Sequence, residues 1–189
     1  MLFRPTDRYD ILARSIHWIA AGLIVLAWAA IEVHDAFPKG SDGRKLLGSL
    51  HTQLGLVVLV LLAIRVPWRA LRPVTPAPVA GPPWTRMLAS ATKIALYVLM
   101  LAAPVVGLAT AQARGETVSF LGVALPNLFG GFHAERRAIK EVHELLGDAI
   151  LVVAALHATA ALWHHLVLRD GTLLRMFGPR RGAARALQR

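Results

Sequence analysis

Four apolar stretches dominate this chain, at residues 15–33, 46–64, 87–113 and 142–168. A bilayer core of about 30 Å is crossed by roughly 20 helical residues, and each stretch is about that long or longer. Backbone amides and carbonyls have no water to bond in lipid, so such segments are restricted to helices or a closed barrel. Runs of this length predict helices. The composition agrees: 56% of the 189 residues are hydrophobic and the mean hydropathy is +0.52, above the usual soluble range. The expected fold is all-α, an integral membrane four-helix bundle forming a single domain over 1–189. The first apolar run starts after a dozen residues without a small-residue cleavage site, and reads as a retained helix. Pro104 should kink the third helix. The segment 67–83, rich in proline and arginine, reads as a loop, and a short surface helix is expected near 135–141.

The formal net charge is +10. Long apolar runs argue against a nucleic-acid binder, so the charge is read through loop asymmetry and lipid contact. With an internal N-terminus the inner side carries Arg4, Arg8, Arg14, Arg65, Arg69, Arg72, Arg86, Lys93, Arg169, Arg175, Arg180, Arg181, Arg185 and Arg189. The outer side then carries Lys39, Arg44, Lys45, Arg114, Arg136, Arg137 and Lys140, which is 14 bases against 7. Both termini are therefore expected in the cytoplasm.

Ionisable residues within apolar spans are costly and tend to be functional. Four of the eight histidines fall in these spans: His17, His51, His143 and His157. His143 and His157 are fourteen residues apart, just under four turns, so both rings leave one face about 21 Å apart along the axis. They cannot share a metal. His17 and His51 lie at opposite ends of the membrane and cannot share one either. Matching by level pairs His51 with His143 outside and His17 with His157 inside. One lone histidine in a helix is an ordinary hydrogen-bonded side chain, but four that pair by level and face suggest ligands. Zinc or iron held by protein alone wants three or more convergent ligands, whereas paired imidazoles suit a planar macrocycle. The chain has no cysteine, so a thioether-linked haem is excluded. Two non-covalent b haems between the helices are expected, each with two axial histidines.

His164, seven residues past His157, is a candidate for a haem propionate or a quinone pocket, with an interfacial polar role as the alternative. His165 points about 100° away. His34 and His133 read as loop residues. Trp18, Trp28, Trp68, Trp84 and Trp163 read as interface anchors or packing.

The run Ser15-Ile16-His17-Trp18, the pair Leu50-His51, and the block from His143-Glu144 and Gly147 through Leu156-His157-Ala158 to His164-His165 resemble the bacterial cytochrome b561 family. So does the tail from Arg169-Asp170-Gly171 to Arg175-Met176. The resemblance implies four transmembrane helices, haem ligation by His17, His51, His143 and His157, and an inner-membrane location. It further implies transfer of electrons from superoxide at the periplasmic face to ubiquinone. A basic outer patch of Arg44, Lys45, Arg136, Arg137 and Lys140 would steer a small anion; a solvated loop balancing nearby acids is the alternative. Two rival functions stand beside this one. The chain can be a haem-bearing anchor relaying electrons between quinone and a dehydrogenase or soluble cytochrome, or a haem-free transporter or metal carrier.

Overall fold

The computed structural model describes residues 9–71, 82–170 and 172–177. Arg4, Arg8, Arg72, Arg180, Arg181, Arg185, Arg189, Gly171 and most of the 67–83 segment lie outside the described residues. Four long helices make up the fold: α1 (Ile11–His34), α2 (Asp42–Leu71), α3 (Pro83–Ala113) and α4 (Arg136–Leu166). Each is long and apolar enough to cross a membrane.

All four helices overrun the apolar runs at one or both ends, because polar residues at the interfaces prolong a helix without entering lipid. Asp10 caps α1, its carboxylate accepting from the Ala13 amide at 2.9 Å. α2 continues through Pro67 to Leu71, so the expected loop begins later than proposed. A proline one turn from a helix end removes only one bond of the ladder. The short surface helix expected near 135–141 is not separate; it is the first turns of α4. Pro104 lies within α3, and Gly55 of α2 faces it closely enough for an added Cβ to stand 3.9 Å from the proline.

The packing is that of a membrane bundle. Buried positions are small or branched (Ala20, Ala27, Ala30, Leu56, Val58, Ala109), while Ile19, Leu26, Val98, Leu101 and Val152 face outward. Small residues at helix contacts let backbones approach where lipid removes the hydrophobic drive. α1 packs chiefly on α2 and α3 on α4, with α2 against α3 between them. α1 and α4 have no comparable backbone contact.

A small two-stranded element sits in the α3–α4 connection of this all-α fold. β1 (Ser119–Phe120) and β2 (Val123–Ala124) pair antiparallel, Phe120 opposite Val123. The turn between them has φ of 50° at Leu121 and 85° at Gly122, the two positive values of a type I′ hairpin. Val118, Phe120 and Leu125 pack on Leu56 and Ala111, closing that end of the α2–α3 contact. Gln53 donates to the Ser119 carbonyl at 2.6 Å. Gln112, 1% exposed, donates to the Pro126 carbonyl at 2.9 Å and accepts from the Leu128 and Phe129 amides at 3.0 and 3.1 Å. His133 donates to the Ala113 carbonyl. One buried amide thereby organises the whole α3–α4 connection.

Candidate functional site

The helix directions set two levels in the bundle. α1 begins, α2 ends, α3 begins and α4 ends at one end; the α1–α2 and α3–α4 connections lie at the other. His51 and His143 face each other near the connection end with ring centroids 5.8 Å apart. His17 and His157 do so nearer the opposite end at 6.3 Å. The early start of α1 at Ile11, together with the end of α4 at Leu166, brings the latter two level despite their unequal distances from the apolar margins. Among the described residues no three metal-ligating side chains converge; the histidines meet only in twos.

The connection-end pair is held by backbone. His51 Nδ1 donates to the Ala27 carbonyl at 2.8 Å and His143 Nδ1 to the Ala103 carbonyl at 3.0 Å. With Nδ1 donating, each Nε2 keeps its lone pair, the tautomer a metal-binding imidazole requires. Gly107 makes room for His143. A Cβ built there would stand 2.8 Å from the ring's Cε1, so any larger residue would displace the imidazole.

These spacings can be compared with what a bis-imidazole iron needs. Imidazole–metal bonds are about 2.0–2.1 Å, so two coaxial rings with one ion between them have centroids roughly 6 Å apart. Both pairs meet that distance. The ring planes cross at 81° and 75°, and rotation about a metal–nitrogen bond leaves the bond intact. The residues present fit haem at both levels.

The remaining histidines behave differently. His34 ends α1 and bonds Asp35 at 2.9 Å; that bond, assisted by Arg44, holds the Asp35 carboxyl below the usual carboxylate range. His164 donates to Asp170 at 2.6 Å. Burial pushes the Asp170 carboxyl up, but hydrogen bonds from Thr172 and His164 prevail and hold it below the usual range. His164 thus anchors the segment after α4, whose short 3-10 turn (Leu173–Arg175) is followed by Phe177 against Trp18, and whose Met176 carbonyl accepts from the Trp18 indole at 3.2 Å. Trp68 donates to Asp10. Both indoles act as packing anchors.

The expected basic patch is largely neutralised. Arg44 pairs with Asp35 at 2.8 Å, Lys45 with Asp42 at 3.3 Å, Arg137 with Glu141 at 2.9 Å, and Lys140 with Glu144. Arg44 also donates to the His34 and Phe37 carbonyls, so it clamps the α1–α2 turn. The balancing alternative describes these residues better than a steering patch.

Sequence reasoning missed three features: the hairpin, the Gln112 lock, and a link from Arg65 on α2 to Tyr97 on α3 and the Ala13 carbonyl on α1. Leu121-Gly122 between apolar residues was the available signal for the first. An arginine at the very edge of an apolar run was the signal for the third.

Known proteins are similar to this chain in sequence. Residues 8–179 match the prokaryotic cytochrome b561 family. The chain is 32% identical to a protein of Yersinia pestis named "Probable superoxide oxidase CybB", over 93% of this chain and 98% of that one. It is 36% identical to "Cytochrome b561 homolog 1" of Escherichia coli K12, over 88% and 94% of the two chains. It is 31% identical to "Cytochrome b562" of Cereibacter sphaeroides, over 91% and 96%. Four spanning helices, paired intramembrane imidazoles and these matches along nearly the whole chain have one reading: the chain belongs to the prokaryotic cytochrome b561 family, bacterial multi-pass membrane proteins that bind haem b and transfer electrons.

Proposed function

We propose that this chain holds two b haems, one between His51 and His143 and one between His17 and His157, and conducts electrons across the inner membrane from superoxide to ubiquinone. The observation that carries the reading is the pair of facing imidazoles at each of two levels, about 21 Å apart along α4. Haem bound between two histidines supplies a one-electron iron couple with no open coordination position. The chain's own work is positional. Ala27 and Ala103 fix the ring orientations, Gly107 admits one of them, and apolar helix faces keep water from the path between levels. Two superoxide anions each give up one electron and leave as dioxygen, while ubiquinone takes up two electrons and two protons. Similarity to the probable superoxide oxidase supports this donor. The lysine and arginine bias supports cytoplasmic termini, which puts the His51–His143 level on the periplasmic side.

A relay between quinone and a dehydrogenase or soluble cytochrome is the second reading. Neutralisation of the outer bases favours it, because a protein partner does not depend on steering a small anion. Mixing the purified protein with superoxide and ubiquinone separates the two: haem reduction followed by quinol formation belongs to the first alone.

Haem content tests the architecture common to both. A pyridine haemochrome assay should give two haems per chain, all released by acidified solvent. His51→Ala and His143→Ala should each remove the same haem, and His17→Ala and His157→Ala the other. Crossed phenotypes, with His17→Ala matching His143→Ala, would overturn the pairing.

A further inference from the structure

α2 carries His51 at the connection-end level. Fourteen residues further along α2 stands Arg65, the same interval that separates His143 from His157 on α4. Just under four turns put it on nearly the face of His51, about 21 Å away and level with His17 and His157. Its Nε donates to the Tyr97 hydroxyl at 3.1 Å and its Nη1 to the Ala13 carbonyl at 3.1 Å, with the guanidinium 6.0 Å from the Tyr97 ring centroid. Ala13 lies one turn before His17, so its carbonyl also receives the His17 amide in the helical ladder. One half-buried cation thus ties α2 to α1 and α3 beside the His17 ring.

The charged neighbours of the two levels differ. Arg65 acts electrostatically on both His17 and His157, and Lys93 on His157. His143 instead has one acid, Glu144, and one base, Arg114, as charged neighbours. Among the described residues neither Arg65 nor Lys93 belongs to an ion pair. A positive charge at the end of an apolar span and outside any ion pair among the described residues is costly to hold.

We propose that Arg65 makes the His17–His157 level the electron sink of the chain, so that electrons entering at the His51–His143 level run downhill along the bundle. This rests on the two-haem reading above. Gaining one electron adds a unit of negative charge between His17 and His157. A fixed guanidinium stabilises that charge through a low-dielectric interior, and the more distant level feels it far less because the interaction falls with separation.

The test is a spectroscopically monitored redox titration of the purified, haem-loaded protein. His157→Ala identifies the His17–His157 wave by its absence. In the unmodified chain that wave should have the higher midpoint. Arg65→Gln should lower the reduced-to-oxidised ratio at this level about tenfold at fixed ambient potential, a fall of about 59 mV for one electron, and move the other wave much less. Arg65→Lys keeps the charge without the fork geometry and should stay near the unmodified midpoint. The proposal is overturned if the His17–His157 wave lies lower in the unmodified chain. It is equally overturned if Arg65→Gln retains both haems with neither wave moved, or if lysine shifts the midpoint as far as glutamine. Should Arg65→Gln lose the haem, the wave order and the lysine variant still decide. An unmodified chain with fewer than two haems would instead refute the two-haem reading, which the haemochrome assay detects separately.

Discussion

At Gly107 a single methyl group has no room, and the consequence is local and measurable. A Cβ there meets His143 at Cε1, Nδ1 and Nε2, so the ring must tilt or its bond to the Ala103 carbonyl must break. Overpacking of this kind costs about 1–3 kcal/mol, and here the displaced atoms include Nε2, the nitrogen proposed to bind haem iron. Gly107→Val should therefore lose the haem at the His51–His143 level and keep the other, halving the haemochrome value while helix content by circular dichroism stays unchanged. Two haems with an unaltered visible spectrum would show that α3 can give way. At the same scale, the partners of Nδ1 differ among the histidines. His51 and His143 have their second nitrogen occupied by backbone carbonyls, whereas His34 and His164 spend theirs on carboxylates.

Among the elements, the connection between α3 and α4 depends most on one side chain. Gln112 is the last-turn residue of α3 that bonds Pro126, Leu128 and Phe129, and the hairpin packs beside it on Leu56 and Ala111. Gln112→Ala removes three bonds and leaves amides without their partner, at a cost of about 1–3 kcal/mol. The expected result is a lower thermal midpoint in detergent and faster proteolysis within residues 114–135, with both haems retained. Unchanged proteolysis would mean that the hairpin alone holds the connection. The segment after α4 is held differently, through His164, Asp170 and Trp18, which draws the end of the described chain back onto the start of α1.

Over the whole molecule, the arrangement of charge bears on which electron donor suits the chain. Exposed ion pairs contribute little stability, about 0–1 kcal/mol each, but they cancel the field that would gather an anion. Reduction by superoxide should then change less than twofold between 0.1 M and 1 M salt, although the Debye length falls from about 10 Å to about 3 Å. Stopped-flow haem reduction measures this, with a neutral reductant as control. A steep fall with salt would restore the steering role of Arg44, Lys45, Arg136, Arg137 and Lys140.

Sequence alone determined the four spans and the grouping of histidines into levels, because both follow from length and helical period, which lipid makes nearly obligatory. The fourteen-residue interval on α4 needs no tertiary information. Helix ends were less legible, since polar residues such as Asp42 and Arg136 continue a helix beyond the apolar margin. Only the tertiary structure could decide what lies across from what. That Arg44 clamps the α1–α2 turn rather than joining an open basic patch depends on where Asp35 and the Phe37 carbonyl fall. That Gly107 abuts His143 depends on how α3 packs on α4. That Arg65 reaches Ala13 and Tyr97 depends on three helices meeting at one depth. Periodicity gives each side chain a face and a height, but distances between helices arise only from packing.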